Sequence, residues 1–127
     1  MVLTDTDVLI EVRKGSESAG HWLASLGQEP LVVPGIVAME FINGSRNKAE
    51  MESADRFVSR FSIYWPTESD ARLAFDLIRT HRLQSGTGLS DFMIAAQAIH
   101  LGATLYTFNI KHFRNIPGLD ARPPYAR

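Results

Sequence analysis

The order of patterns along this chain predicts an α/β fold in three layers: a mostly parallel central sheet of four to five strands flanked by helices. Short apolar runs of β type recur at 2–4, 31–33, 62–65 and 104–108. The intervals between them carry helical spacing and are too long for hairpins, so neighbouring strands are joined by helical crossovers and lie parallel. A stretch at 91–100 is apolar nearly all round, which demands burial on every side, as in a helix packed against a sheet.

Val2-Leu3-Thr4 reads as a buried strand, followed by polar Asp5-Thr6-Asp7 and a turn or helix start at Val8-Leu9-Ile10. Between Ser16 and Leu26 the apolar positions Ala19, Trp22, Leu23 and Leu26 have helical spacing, and Gly27 stops the helix. Leu31-Val32-Val33 is the second strand, closed by Pro34. A largely apolar helix follows from Ile36 to about Arg46 with Glu40 in its middle, ended by Asn43-Gly44 or by the Arg46-Asn47 region, and another runs from Lys48 to Phe61. After the run at 62–65 and Pro66, Thr67 and Asp70 form a capping-box variant. The helix they start carries Ala71, Ala74, Phe75 and Ile78 on one stripe and ends near His81 to Leu83. The stretch 84–88 is loop-like. Ser90 is placed to cap the apolar helix, Gly102 to end it, and 104–108 forms the last strong strand.

The 127 residues suit one domain, 1–127, because a core of that size buries roughly two-thirds of the unfolded surface. With 45% hydrophobic and 21% charged residues the composition is that of a self-folding globular chain. There is no cysteine, which excludes disulfides, thiolate metal sites and cysteine nucleophiles and makes the cytoplasm the expected location. An acid already at Asp5 argues against a secretory leader, and no apolar run reaches about 18 residues, so no membrane span is expected. The net charge of −1 is unfavourable for a protein of nucleic acids. Carboxylates gathered around a divalent cation would reverse the field locally. Basic side chains concentrate late in the chain, at Lys111, His112, Arg114, Arg122 and Arg127, where an ordinary solvated surface explains them equally well.

Functional groups in open parallel sheets collect beyond the C-terminal strand ends. Asp5 follows the first strand, and Asp91 opens a helix whose positive end favours an anion. Glu40 sits between Met39 and Phe41, where an ionised carboxylate in apolar surroundings is costly unless paired or metal-bound. Local roles remain open for each. Asp5 or Asp7 can cap a turn, Asp91 can simply complement the helix dipole, and Glu40 can lie on a solvated stripe.

Four segments carry a resemblance. Leu3-Thr4-Asp5-Thr6-Asp7-Val8-Leu9-Ile10 resembles the opening of PIN domains, usually hydrophobic-hydrophobic-Asp-Thr-Asn-hydrophobic-hydrophobic-Ile. Val37-Ala38-Met39-Glu40-Phe41 is similar to the second acidic segment of that family, and 89–98, Leu-Ser-Asp-Phe-Met-Ile-Ala-Ala-Gln-Ala, to the third. Thr107-Phe108-Asn109-Ile110-Lys111-His112-Phe113 and Ile116-Pro117-Gly118-Leu119 resemble the C-terminal block of VapC-type toxins. The four occur in order over nearly the whole chain.

The resemblance implies a metal-dependent ribonuclease. Asp5, Glu40 and Asp91 would be metal-binding acids, with Thr107 and Asn109 completing the polar end of the last strand. It also implies a VapB-type antitoxin partner and a homodimer. Mg²⁺ or Mn²⁺ suits such a site, since both take hard oxygen ligands and Mg²⁺ keeps several waters. Two such ions can activate water and steady the departing oxygen of a phosphodiester. Single-stranded or looped RNA is the expected substrate, because splayed bases can be gripped by aromatic or Arg side chains.

The sequence departs from the family pattern twice. Where many PIN domains carry a fourth acid this chain has Asn109, and where Asn is usual it has Asp7. Either Asp7 restores charge missing at Asn109, or it hydrogen-bonds the Asp5 loop. Arg13, Lys14, Arg46, Lys48 and Lys111 are candidate phosphate contacts that a solvated surface also explains. Met51, Phe57 and Val58 offer either a partner surface or core packing. Two other functions compete. A PIN fold that has lost cleavage through Asn109 would bind RNA or a partner only. A haloacid-dehalogenase-like phosphatase would use Asp5 as nucleophile and Asp7 as acid, but the later acids of that family are missing.

Overall fold

A computed structural model describes residues 1–84 and 86–127. Five short strands, β1 (Val2–Thr4), β2 (Leu31–Pro34), β3 (Ser62–Tyr64), β4 (Thr104–Tyr106) and β5 (Ala121–Arg122), form one sheet in the order β3-β2-β1-β4-β5. Every pairing is parallel, as crossovers of this length require. The chain therefore grows outward from β1 to one edge, then returns to the other flank with β4 and β5. The strand order reverses between β1 and β4, the place where open sheets open a crevice.

The helices are α1 (Thr6–Lys14), α2 (Glu17–Ser25), α3 (Gly35–Asn43), α4 (Lys48–Val58), α5 (Glu68–His81), α6 (Leu89–Leu101) and α7 (Ile110–Phe113). They flank the sheet. In the parallel register Leu3 lies opposite Val32 and Leu105, and Leu3, Leu105 and Val33 are wholly buried with Ile94, Ala95 and Ala96 of α6. Each large apolar side chain so buried contributes roughly 1.5–3 kcal/mol. The alanines of α6 admit close neighbours, chiefly α5, so the helix is covered on most of its circumference as its composition demanded.

Three local expectations need correction. The N-cap of α6 is Gly88 rather than Ser90, because Asp91 in the first turn folds back and accepts a hydrogen bond from the Gly88 N–H at 3.0 Å. On α5 the expected stripe is rotated: Ala71 and Phe75 are exposed, while Asp70, Ala74 and Leu77 face inward. Asp70 sets this rotation. Its carboxylate accepts from the Thr67 N–H (2.9 Å) and the Tyr64 hydroxyl (3.0 Å), and meets the His100 Nδ1 at 2.6 Å. The network ties α5 to β3 and to the end of α6. The third correction concerns α4, which stops at Val58, short of Phe61. Val58 is core and Phe57 packs between the Phe41 and Phe61 rings, whereas Met51 is exposed. The loop expected over 84–88 includes Ser85, which lies outside the described residues. Among the described residues no helix is long and apolar enough to cross a membrane.

Candidate active site

The reversal between β1 and β4 brings together residues about a hundred positions apart. Asp5 leaves β1 in an extended conformation and caps α1, its Oδ1 accepting from the Thr6 N–H at 2.7 Å. Its other oxygen accepts from the Thr107 hydroxyl, just past β4, at 2.8 Å. Thr107 Oγ1 in turn accepts from the Asn109 N–H at 3.0 Å. Asp5 thus fills the cap role read from the sequence: the cap fixes one oxygen and leaves the carboxylate at the rim of a cleft. Asp7 is bound to the same loop, with Oδ2 accepting from the Phe108 N–H at 3.1 Å. It anchors the β4 loop rather than the Asp5 loop.

Glu40 arrives from α3. It is exposed, not enclosed by apolar neighbours, because Met39 and Phe41 project from other sides of the helix. Its Oε1 accepts from the Thr6 hydroxyl at 3.0 Å and its Oε2 from the Ser90 hydroxyl at 3.2 Å. Glu40 thus spans from the start of α1 to the start of α6, beside Asp91. Asp5, Asp7, Glu40 and Asp91 line one open cleft of about 320 Å³ together with Thr6, Asn109 and His112. All four residues expected to ligate metal lie on this wall, and Thr107 sits directly behind it. Thr6 and His112 line the cleft without having been assigned to a site from the sequence, and Ser90 reaches it through Glu40. Thr6 and Ser90 adjoin Asp5 and Asp91 in sequence and orient Glu40. The His112 Nδ1 stands 3.4 Å from the Asp91 carboxylate.

The electrostatics of the cleft are those of crowded acids. Burial pushes the Asp5 carboxyl up to about 6, and the negative charges of Asp7 and Asp91 add to the rise against the hydrogen bonds from Thr107 and Thr6. Burial also raises Asp7, with the Asp91 charge adding and the Phe108 and Val8 N–H groups and Arg127 opposing. Among the described residues no Lys or Arg lies within ion-pair distance of Asp5, Asp7, Glu40 or Asp91. The Asp7 Oδ1 is buried without a hydrogen-bond partner. No group of three or more His, Cys, Asp or Glu side chains among the described residues is disposed to hold a metal ion by itself. The acids instead stand along the walls of an open cleft.

The model of the PIN domain family matches residues 2–119. Ribonuclease VapC10 of Mycobacterium tuberculosis is 36% identical over 128 residues, covering 99% of this chain and 94% of the relative. Ribonuclease VapC19 of the same species is 34% identical, covering 98% and 100%. Among solved structures, VapBC2 from Rickettsia felis bound to a promoter DNA fragment superposes with a TM-score of 0.80 at 30% identity, covering 97% and 98%. VapBC-1 from nontypeable Haemophilus influenzae gives 0.82 at 26% identity, covering 98% of each chain. The chain belongs to the PIN-domain family and, within it, to the VapC ribonucleases.

Proposed function

We propose that this chain, a single domain over 1–127, is a metal-dependent endoribonuclease and the toxin of a toxin–antitoxin pair. One observation carries the reading: four acids from three separated segments line one cleft, and among the described residues no Lys or Arg lies within ion-pair distance of them. The donor set fits a hard divalent ion. Mg²⁺ retains several waters and needs only one or two carboxylates plus a substrate phosphate, so an open acidic wall suffices where a closed cage would exclude the substrate. The buried, unpartnered Asp7 oxygen and the raised Asp5 carboxyl mark where positive charge is wanted.

In this reading Asp5, Glu40 and Asp91 hold Mg²⁺ or Mn²⁺, with Asn109 offering a neutral oxygen. When bound, the ion supplies an activated water and charge stabilisation for a phosphodiester. The chain's own residues do the positioning. The Thr6 N–H and the Thr107 hydroxyl fix both Asp5 oxygens, the Gly88 N–H orients Asp91, and the Thr6 and Ser90 hydroxyls hold Glu40 toward the cleft. Such outer contacts typically account for 10–100-fold in metal affinity or activity. Single-stranded or looped RNA is the substrate, a VapB-type antitoxin the protein partner, a homodimer the assembly and the cytoplasm the setting.

The test is a mixed RNA pool incubated with purified protein and Mn²⁺ or Mg²⁺ beside Asp91→Asn. Cleavage by the unaltered chain alone, abolished by EDTA, is expected. Equal cleavage by both proteins, or RNA retained without cleavage by either, contradicts the ribonuclease reading; the second outcome is the one a binding-only protein gives.

A further inference from the structure

Two grooves adjoin the acidic cleft, each through a different set of shared residues. The first, of about 400 Å³, shares Thr6, Ile10 and Glu40 with it and carries Arg13 and Arg46. The second, of about 320 Å³, shares His112 and carries Lys111 and Arg114. The three concavities therefore form a connected series through shared residues; the second groove is cationic, and the first carries two arginines beside Glu40 and Glu50. No carboxylate lines the second groove. In the first, Arg46 is clamped by Glu50, with Nη2 to Oε2 at 3.1 Å. Arg13 has no ion pair among the described residues. Its guanidinium lies over the Phe41 ring, 5.3 Å from the centroid, and donates to the Ser53 hydroxyl at 2.6 Å. An arginine so held presents a flat cation to the groove, suited to a phosphate or to the face of a splayed base.

Geometry separates the sequence's five basic candidates. Arg13, Arg46 and Lys111 line the grooves, whereas Lys14, paired with Glu11 at 3.6 Å, and Lys48 line none of the three concavities. In a chain of net charge −1, a cleft of acids repels a polyanion at the cleft itself. Cations on both flanks of the acids relieve that repulsion only for a ligand long enough to reach past the centre in both directions.

We infer that a single RNA strand lies along this series, its phosphates on one side of the cleaved bond meeting Arg13 and Arg46 and those on the other side meeting Lys111 and Arg114. The inference rests on the ribonuclease reading for the central position and adds two flanking phosphate subsites. It follows that a small phosphodiester, which reaches only the acids, is indifferent to these four side chains.

The test uses the full chain and a labelled single-stranded RNA of about 12 nucleotides, within the span such grooves cover. Fluorescence anisotropy across a salt series compares Arg13→Gln/Arg46→Gln, Lys111→Gln/Arg114→Gln and the control pair Lys14→Gln/Lys48→Gln. Turnover of a chromogenic phosphodiester with Mn²⁺ is measured for each. Each groove pair is expected to weaken RNA binding roughly tenfold and to flatten the salt dependence by about 1.4, at about 0.7 for each phosphate left without its cation. Diester turnover and the control pair stay within about twofold of the unaltered chain, because neither reaches a flanking subsite. Groove pairs that bind RNA like the unaltered chain, or a control pair that weakens as much, overturn the inference. So does an equal loss on RNA and diester. Two independent pairs keep the test decisive if one fails to fold. An unaltered chain that cleaves neither substrate sinks the ribonuclease reading, and the anisotropy arm still decides whether the strand follows this series.

Discussion

Two buried carboxylates in this chain have opposite fates. Asp70 and Asp5 are 0% and 6% exposed, and each caps a helix. Burial pushes the Asp70 carboxyl up, but hydrogen bonds from Thr67, His100 and Tyr64 outweigh it and hold the group below the usual range. Asp5 receives only Thr6 and Thr107 and faces Asp7 and Asp91, so burial wins and the carboxyl rises to about 6. The two are alike in exposure and differ in their partners. A buried acid supplied with donors is structural; one placed among other acids stores a demand for positive charge, which is how a binding site differs from a core.

The sharpest way to break this comparison is to neutralise each kind of acid. Asp91→Asn is expected to lower RNA cleavage at least about 10²-fold, the scale at which one electrostatic contact of an active site is removed, while far-ultraviolet circular dichroism stays unchanged. Asp70→Asn should do the reverse. It breaks a buried network at a cost of about 2–4 kcal/mol, lowering Tm by roughly 10 °C, with cleavage retained below the melt.

Asp5→Asn carries the smaller and more telling effect. Because the folded carboxyl titrates near 6 against an ordinary 3.8, the folded state binds more protons in that interval, and the stability Asp5 contributes when protonated is lost as pH rises through it. Removing the charge should therefore stabilise the metal-free chain near neutral pH by about 1–2 kcal/mol and abolish the corresponding fall in Tm between acid and neutral pH, at the expense of activity. Asp70 has the opposite sign: its contribution is present above 3.8 and is lost as pH falls below that value. The least effect is expected at the two departures from the family pattern. Asn109→Asp should tighten Mn²⁺ binding severalfold and Asp7→Asn should loosen it severalfold, both read by calorimetry; no change at Asp7 would reduce it to an anchor for Phe108.

Much of this was legible in the sequence because periodicity reports local structure. The alternation of short apolar runs with helical stretches fixed the parallel sheet, and the capping pair Thr67 and Asp70 marked the start of α5 to the residue. What escaped was orientation. Asp70 was readable as a cap, but not as the acid that turns α5 inward, since Tyr64 and His100 reach it only in three dimensions. Glu40 looked enclosed because its sequence neighbours are apolar, though on a helix adjacent residues face different sides. Strand β5 has only two residues, in a Pro-rich tail, too few to carry any alternation. Asp5, Glu40 and Asp91 could be proposed from their segments. Their arrangement around Thr6 and Ser90 depended on tertiary contacts that no spacing encodes.

The most direct measurement is titration calorimetry of Mn²⁺ into the unaltered chain, Asp5→Asn, Glu40→Gln and Asp91→Asn near neutral pH. Saturable binding that weakens about tenfold or more with each substitution, a loss of about 1.4 kcal/mol or more apiece, is the expected result. Binding that is indifferent to all three substitutions would contradict the claim that these acids hold one hard divalent ion together.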